Sequence, residues 1–290
     1  MNIIIMNNRA SFLVSFWSVL ISRLQEEGHQ VTCLVPAGDS EAEATLKGFG
    51  ASIRNYPLDN KGLNPVHDLK TCLALYRIFR EERADILYAS TIKSVIYGIP
   101  MAALAGIRSR YAMITGLGYM FEANTPVKKM LTYLASSLYR ISLSFSDAVF
   151  FQNTDDVQTF RDWHCLPRGA HVVMTKGTGV DTDKFAVAPL PEAPLTFLLV
   201  GRLLEAKGLY EYAEAARLVK KRYPNARFQL RVLPKAPGAE SLLKRSRDGN
   251  GKVLSNTSAS RVMCAPMSGR RMLSFSPPGG RACPARSWKP

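Results

Sequence analysis

Four short segments place polar or glycine residues directly after apolar runs, the position where α/β proteins usually bind their ligands. In Val200–Gly208 (VGRLLEAKG), Arg202 and Lys207 stand five residues apart around a predicted strand-to-helix turn. Two cations there, together with the free N–H groups and dipole of a helix start, suit an anion such as a diphosphate. A solvated basic loop fits the same residues.

The other three segments carry less specific patterns. Lys176–Asp181 (KGTGVD) and Ile114–Tyr119 (ITGLGY) each hold two glycines. Glycines let the backbone approach a ligand closely, although an ordinary turn also fits a short Gly-x-Gly. Thr91 and Lys93 lie at a strand end and a helix start, where a surface lysine is the plainer interpretation. The five cysteines and four histidines show no disulfide or metal spacing, so we expect reduced cysteines and no metal site.

The elements that must position these segments alternate from residue 2 to residue 230. The predicted strands are 2–6, 30–35, 51–58, 85–88, 111–114, 148–151, 171–175, 195–200 and 227–230. The predicted helices are 11–27, 40–49, 66–82, 92–105, 127–145, 155–163 and 209–223. Strands that alternate with helices indicate an α/β protein with parallel sheets covered on both faces.

The alternation is interrupted once and then stops. Residues 186–194 (AVAPLPEAP) are rich in proline and predict a linker between an N-terminal domain, 1–185, and a second domain that begins at 195. Residues 195–230 supply only the first β-α-β of that second domain. Residues 231–290 hold seven Pro, six Gly and nine Ser without periodicity, so we expect an irregular tail.

Charge is the unusual part of the composition. The chain has 290 residues and a net charge of +15, which by itself favours a nucleic-acid, membrane or anionic-substrate partner. Residues 231–290 contain 12 basic and 2 acidic side chains, a net +10, which leaves +5 for residues 1–230. The excess is therefore mostly a property of the tail. The apolar run 2–6 is too short and the run 94–107 is interrupted by Gly98 and Pro100, so we expect neither to be a signal peptide or a membrane span.

Taken together, the segments resemble the retaining glycosyltransferases of family 4, which have the GT-B fold of two Rossmann-like domains. The bacterial branch that builds lipid-linked sugars for capsule, O-antigen and glycoprotein glycans is the most similar. The resemblance covers residues 1–230 in the family's order. Its stretches are GLNP (62–65), TIKSVIYG (91–98), AMITGLGYMF (112–121), FFQNTDD (150–156), GTGVDTDKF (177–185) and VGRLLEAKG (200–208).

The resemblance implies a role for each segment. Arg202 and Lys207 would hold the diphosphate of a nucleotide-sugar, most simply a UDP-sugar. The donor-side loop of Gly177, Gly179, Val180 and Asp181 would face that donor across the cleft. On the acceptor side, the resemblance places Thr91, Lys93, Gly116 and Gly118. It implies no metal and no cofactor besides the UDP-sugar substrate.

Two departures from the family stand out. No histidine lies near Thr91–Lys93, where many members have one, so no catalytic base is assigned. The first loop reads Phe16-Trp17-Ser18 where this branch tends to have an arginine and a glycine. The larger departure is the tail, which lacks the family's donor-site signature Glu-Gly-x-Pro-Arg-x-x-Leu-Glu-Ala.

The genetic code offers an explanation for that missing signature. Codons read from the third base of one residue and the first two of the next force Glu at Trp288–Lys289 and Val at Met263–Cys264. In the same frame, the junctions from Gly280 to Pro290 permit all seven fixed positions of the signature at the right spacing. We therefore expect a frameshift near residues 230–237, with a tail translated out of frame. A nucleotide sequence whose codons do not spell the signature would refute this.

The expected activity is transfer of a hexosyl or N-acetylhexosaminyl group from a UDP-sugar to a polyprenyl-diphosphate-linked sugar. This would take place in the cytoplasm or peripherally at the inner membrane face, with little or no activity in the printed chain because the signature is lost. The helix 127–145, with Lys128, Lys129 and Arg140, would either meet anionic lipid or pack as an ordinary amphipathic helix. The alternatives are a sugar-nucleotide epimerase of the same fold, or a nucleic-acid binder favoured by charge alone. No motif supports the nucleic-acid binder, so we expect no nucleic-acid partner.

Overall fold

The computed structural model describes residues 1–59, 64–116, 121, 125–183, 185–190, 194–201, 207–232 and 273–274. These residues divide into two compact units, 1–181 and 182–290. Gly118, Arg202, the start of the GLNP segment and most of the predicted tail lie outside the described ranges. No helix within those ranges combines the length and the apolar character needed to cross a bilayer. The predicted domain bounds stay a prediction.

Unit 1 is built around one parallel sheet of seven strands in the order β3-β2-β1-β4-β5-β6-β7. Its strands are β1 (Asn2–Met6), β2 (Gln30–Val35), β3 (Ser52–Asn55), β4 (Ile86–Ser90), β5 (Ser109–Ile114), β6 (Ala148–Phe151) and β7 (Val172–Met174). Its helices are α1 (Ala10–Phe16), α2 (Ser18–Glu26), α3 (Ser40–Gly48), α4 (Pro65–Glu82), α5 (Ile92–Ala105), α6 (Pro126–Leu143) and α7 (Thr154–Asp162). The chain reverses direction across the sheet between β1 and β4, which makes that pair the topological switch point.

Two core clusters cover the two faces of this sheet. One joins it to α1, α2 and α3 through side chains such as Leu13, Ile21 and Leu46. The other joins it to α4, α5, α6 and α7, with Phe79 and Phe160 among its largest members. Because both faces are covered, strands such as β1 and β6 are nearly continuous apolar runs rather than alternating ones. The predicted α/β class, with a complete N-terminal parallel sheet, is confirmed.

Short polar side chains start several of the helices. The Asn64, Thr125 and Asn153 side chains accept hydrogen bonds from backbone N–H groups in the first turns of α4, α6 and α7. Proline follows in α4 and α6, where its missing N–H costs nothing. These caps explain why the predicted helix starts lie within one residue of the observed ones.

One predicted helix is wrong in its continuity. Residues 11–27 form two helices, α1 and α2, that meet at Trp17. Trp17 has φ −123° and ψ 1°, is nearly buried, and packs edge-on against Tyr88 with ring centroids 5.2 Å apart. The break places this large ring in the core, a tertiary effect that apolar periodicity along the chain does not reveal.

Helix α5 lies unusually close to the strands beneath it. A Cβ atom added to Gly98 would come 2.7 Å from the sulfur of Met6 and 3.9 Å from the Cβ of Ala89. The first distance is shorter than real side-chain contacts allow, so only glycine fits without movement. Gly98 therefore sets how closely α5 approaches β1 and β4.

Unit 2 is smaller in its described part. It holds β8 (Thr196–Gly201), α8 (Leu209–Arg222), β9 (Arg227–Val232) and a two-residue strand, β10 (Leu273–Ser274). β8 and β9 are parallel, as predicted for a β-α-β unit, and β10 pairs antiparallel with β9. Its buried core consists of Ala216, Ala226 and Phe228, with Tyr212 and Val219 packed against them.

Candidate functional site

The predicted acceptor-side residues of unit 1 follow the carboxyl ends of its strands. Thr91 follows β4 directly, and Lys93 lies in the first turn of α5. Gly116 comes two residues after β5, with φ 119°, a value that strains any other residue. Gly118 lies outside the described residues. Parallel strands share one carboxyl edge, so the topology brings Thr91, Lys93 and Gly116 to the same side of the sheet.

A buried polar network lies beneath that edge at the switch point. The Asn7 side-chain amide donates to Ser90 Oγ at 2.8 Å, and the Tyr56 hydroxyl donates to the Asn7 carbonyl at 3.2 Å. The Tyr56 hydroxyl also lies 3.3 Å from Ser94 Oγ, to which Thr91 Oγ1 donates at 3.2 Å. The network thus ties the ends of β1, β3 and β4 to the start of α5.

Sequence reasoning did not find four members of this network. Asn7, Tyr56 and Ser90 end or follow strands, and Ser94 lies in the first turn of α5. Asn7, Ser90 and Ser94 are among the few fully buried polar residues of the described chain. Buried polar groups must be hydrogen-bonded, so a polar residue at the end of an apolar strand was the available signal.

Thr91 adopts a backbone conformation that is rare for a side-chain-bearing residue. Its φ is 79° and its ψ 158°, a region essentially reserved for glycine. As the N-cap of α5 it makes no side-chain hydrogen bond to the helix backbone, and its hydroxyl goes to Ser94 instead. Such strain costs about 1–3 kcal/mol and concentrates at functional sites. The outlier therefore marks the start of α5 as a candidate ligand position.

The ammonium group of Lys93 is held by the protein itself. It pairs with Asp68 of α4 at 3.0 Å and donates to the Asp59 carbonyl at 2.8 Å. The two side chains of the pair are only 15% and 19% exposed, so the expectation of a surface lysine is wrong. Lys93 joins α4, α5 and the segment after β3, and its predicted acceptor role stays a prediction.

Two ionisable neighbours of this pair stay neutral at physiological pH. Burial, followed by the Asp68 carboxylate, raises the pKa of both Tyr97 and Cys72. Burial also raises the pKa of Cys33 to about 12 and that of Cys165 to about 11. None of these thiols is therefore activated as a nucleophile. Among the described residues no group of His, Cys, Asp and Glu is arranged to hold a metal ion.

The predicted donor-side loop follows β7 at the same edge of the unit 1 sheet. Gly177 and Gly179 have φ values of 90° and 78°, which any other residue adopts only with strain, so both positions favour glycine. Val180 is largely exposed and Asp181 partly buried. The loop presents backbone without side-chain obstruction, because a Cβ at either glycine would meet nothing within 4 Å.

The predicted diphosphate site is described only in part. Lys207 is exposed and stands two residues before α8, whose N-cap is Gly208 with φ 68°. The glycine leaves the amino end of α8 without a side-chain cap, so its N–H groups face outward beside a cation. Arg202 lies outside the described residues.

The family model for glycosyl transferase 4-like proteins matches residues 2–153, from β1 to the N-cap of α7. The chain belongs to this glycosyl transferase 4-like family. The match contains the whole buried network and Thr91, Lys93 and Gly116, so the site lies within the part that the family shares. The predicted family is confirmed.

Two curated proteins are similar to this chain over more than half of its length. A Campylobacter jejuni protein named N,N'-diacetylbacillosaminyl-diphospho-undecaprenol alpha-1,3-N-acetylgalactosaminyltransferase is 23% identical over 76% of this chain and 61% of its own. An Escherichia coli protein named UDP-Gal:alpha-D-GlcNAc-diphosphoundecaprenol alpha-1,3-galactosyltransferase is 25% identical over 55% of this chain and 42% of its own. This glycosyl transferase 4-like chain thus spans about half the length of the curated relatives it matches.

The fold is also that of solved glycosyltransferases. A glycosyltransferase from Rickettsia africae superposes with a TM-score of 0.59 at 14% identity, covering 85% of this chain and 64% of that one. At this identity the likeness concerns the fold alone. It confirms the predicted GT-B-like architecture of this family member.

Proposed function

We propose that the protein is a retaining glycosyltransferase that moves a sugar from a UDP-sugar to a polyprenyl-diphosphate-linked sugar. The observation that carries the proposal is the family match over residues 2–153, which contains the strained, networked edge around Thr91. Both relatives are named as transferases, and their names contain an undecaprenol linked through diphosphate. The same kind of acceptor is the simplest assignment for this chain.

The predicted residues divide into two roles. Thr91, Lys93, Gly116 and Gly118 belong to the acceptor side, where the rigid Asn7–Tyr56–Ser90–Ser94 network holds the start of α5 in place. A fixed geometry of this kind favours transfer, because alignment of donor and acceptor supplies much of the rate. The role of Lys93 on this side is then to position the helix start, since its charge is already matched by Asp68.

The donor side rests on glycines and cations. Gly177, Gly179, Val180 and Asp181 supply open backbone, and Arg202 and Lys207 supply positive charge for the diphosphate. Charge builds on the departing UDP in the transition state, so cations aimed at it stabilise that state more than the bound substrate. The proposal requires no metal and no further cofactor. No residue is assigned as a base.

We place the protein at the cytoplasmic face of the membrane, as a peripheral protein without a nucleic-acid partner. A lipid-linked acceptor stays in the bilayer, so an enzyme that acts on it must approach the lipid surface. The basic, apolar helix α6 supports this placement. Within residues 1–230 the net charge of about +5 suits diphosphates and anionic lipid.

Transfer by the printed chain is expected to be weak or absent. Its sequence lacks the two glutamates of the donor-site signature, which in the resembling family would contact the sugar and the ribose. The direct test compares transfer of labelled sugar from a panel of UDP-sugars to a polyprenyl-diphosphate sugar by the printed chain and by a frame-restored version. A large gain on restoration supports both the function and the frameshift, and normal rates from the printed chain contradict the proposed loss.

The diphosphate site has its own test, which does not depend on turnover. Lys207→Ala should weaken UDP binding about tenfold in calorimetry, because a charged hydrogen bond to phosphate is lost. Lys221→Ala, at the far end of α8, removes the same charge and should leave UDP affinity unchanged. Equal UDP affinity in both variants would show that Lys207 does not bind the diphosphate.

A sugar-nucleotide epimerase is separated from a transferase by its products. An epimerase converts the UDP-sugar without an acceptor, whereas a transferase releases UDP only when an acceptor is present. Chromatography of the nucleotide products with and without acceptor decides between the two.

A further inference from the structure

Helix α6 turns its apolar side chains outward. Its exposed residues recur every three or four positions, which puts them on one stripe of the helix. Between 36% and 64% of each side chain is exposed to solvent. The stripe consists of Val127, Met130, Leu134, Leu138 and Ile141, and the exposed Phe145 continues it past the helix end.

The opposite face of α6 is buried, and four of its six buried residues are small, the other two being Tyr139 and Leu143. Thr132 and Ser136 donate to carbonyl groups one turn earlier in α6 at 2.8 and 2.7 Å. Ser142 donates to the Val95 carbonyl of α5 at 2.6 Å. An ordinary amphipathic helix buries its large apolar residues and exposes its polar ones. Helix α6 departs from this arrangement, because it buries only two large side chains, Tyr139 and Leu143, and exposes a whole stripe of others.

The charge around the stripe is uniformly positive. Lys128, Lys129 and Arg140 are all exposed, and the sequence of Pro126–Leu143 contains no acidic residue. Tyr133, which is 63% exposed, adds a ring with a polar tip, a residue type favoured at membrane interfaces. A second copy of the chain is a poor occupant, because a two-fold contact would set these cations against the same cations. An anionic surface matches both the charge and the apolar stripe.

We propose that this stripe of α6 is the surface on which the protein lies against an anionic lipid bilayer. The apolar side chains enter between the headgroups, while Lys128, Lys129 and Arg140 reach the lipid phosphates. This inference deepens the peripheral membrane contact proposed above and rests on it. It assigns the contact to one helix face.

The topology gives this contact a direction. Helix α6 connects parallel strands β5 and β6, so it must begin at the carboxyl edge of the sheet and run back along it. Its amino end, with Lys128 and Lys129, therefore lies at the edge that carries Thr91 and Gly116. A membrane held by α6 would bring a lipid-linked substrate to that edge.

The test is co-sedimentation of the full chain with phosphatidylcholine vesicles, with and without phosphatidylglycerol. We expect binding to the anionic vesicles that weakens with salt, and much weaker binding to the neutral ones. Leu134→Glu with Ile141→Glu should lower the partition coefficient at least about tenfold. Phe16→Glu with Val19→Glu, two residues of similar exposure on α1 and α2, is the matched control and should leave it unchanged.

A second pair of variants does not depend on the apolar side chains. Lys129→Glu with Arg140→Glu should reduce binding to anionic vesicles by about fivefold for each cation and weaken its salt dependence, because Lys128 and the basic residues 231–290 remain. Lys47→Glu with Lys221→Glu, two exposed residues of α3 and α8, lowers the net charge by the same amount and is the control. Circular dichroism and thermal unfolding of every variant establish that each folds like the parent.

Three outcomes would overturn the proposal. The first is no binding of the parent chain to anionic vesicles, and the second is an equal loss of vesicle binding in the control variants. The third is a dimer in sedimentation equilibrium that becomes a monomer in the Leu134→Glu/Ile141→Glu variant. Transfer to a short-chain, water-soluble acceptor without vesicles is measured separately with the frame-restored version. Absence of transfer with vesicle binding intact would refute the proposed function, and absence of vesicle binding by the parent chain with transfer intact would refute the assignment of α6.

Discussion

The first strands of the two units have similar apolar sequences but very different surroundings. In β1 of unit 1, Ile3, Ile4, Ile5 and Met6 are at most 5% exposed. In β8 of unit 2, Phe197, Leu198 and Val200 are 38%, 42% and 50% exposed. A strand of this composition is suited to the middle of a sheet covered on both faces. Unit 1 provides that environment, whereas the described part of unit 2 does not.

The difference predicts where the chain is stable. A cooperative core resists local opening, while a short sheet with few buried side chains opens at low free energy. The described core of unit 2 holds three buried residues, against the two large clusters of unit 1. We expect unit 1 to carry nearly all of the unfolding cooperativity.

Core truncations should show the largest contrast. Phe151 is fully buried in β6 and packs edge-on against Phe160 at 5.2 Å, so Phe151→Ala should lower the free energy of unfolding by about 3–5 kcal/mol. Phe197→Ala in β8 should cost about 1 kcal/mol or less, because the side chain is already partly in water. Urea denaturation followed by circular dichroism measures both. Equal losses of unfolding free energy in the two variants would contradict the difference in stability between the units.

A smaller loss is expected at the buried ion pair of unit 1. Lys93→Met leaves the Asp68 carboxylate nearly buried without its partner, which should cost about 2 kcal/mol of unfolding free energy. Lys47→Met, on the exposed side of α3, removes the same charge and should change stability little. A double variant with Asp68→Asn should recover part of the loss. A Lys93→Met variant as stable as its control would show that the ion pair contributes nothing to stability.

In unit 2 one hydroxyl joins the two parallel strands. Tyr212 Oη lies 3.0 Å from the Phe197 carbonyl oxygen and 2.9 Å from that of Gln229, and it accepts the Gln229 N–H at 3.1 Å. Tyr212→Phe should lower the local opening free energy of β8 and β9 by about 1 kcal/mol in hydrogen exchange. Amides of β1 and β4 should not respond, and a response there would show that the two units open together.

The smallest expected change in the free energy of unfolding is a gain in stability rather than a loss. Thr91→Gly relieves a φ of 79° but gives up the hydroxyl contact with Ser94, for a net gain of about 0.5 kcal/mol in thermal unfolding. Thr125→Gly changes an N-cap with an ordinary φ of −131° and a side chain that accepts from the Lys128 N–H, so it should destabilise. If both changes destabilise, Thr91 is not strained.

The sequence allowed most of the fold to be predicted because local signals agree with tertiary ones. Apolar runs that end in proline or polar residues predicted the bounds of β1, β2, α5 and β6 as the structure has them. The break at Trp17 was missed because it depends on a contact with Tyr88 in a strand 71 positions away. No local pattern encodes such a contact.

The sequence predicted that Thr91, Lys93 and Gly116 follow strand ends, as they do, but it did not predict the polar network beneath them. Glycines and cations after strands located the edge of the sheet, yet the buried network of Asn7, Tyr56, Ser90 and Ser94 joins residues from three separate stretches of the chain. Each is a common residue type, and its importance appears only when the strands are side by side. The orientation of α6 was likewise open, because periodicity separates two faces of a helix without saying which one is buried.

The close approach at Gly98 makes the dimensions of the site depend on a residue that does not line it. A Cβ atom there would come 2.7 Å from the sulfur of Met6, so either the flexible end of the Met6 side chain or α5, with Thr91 at its start, must shift. The contact between Gly98 and Met6 therefore influences the distance between the start of α5 and the strand ends. Gly98→Ala is thus a way to change the spacing at the candidate site without replacing a residue that lines it.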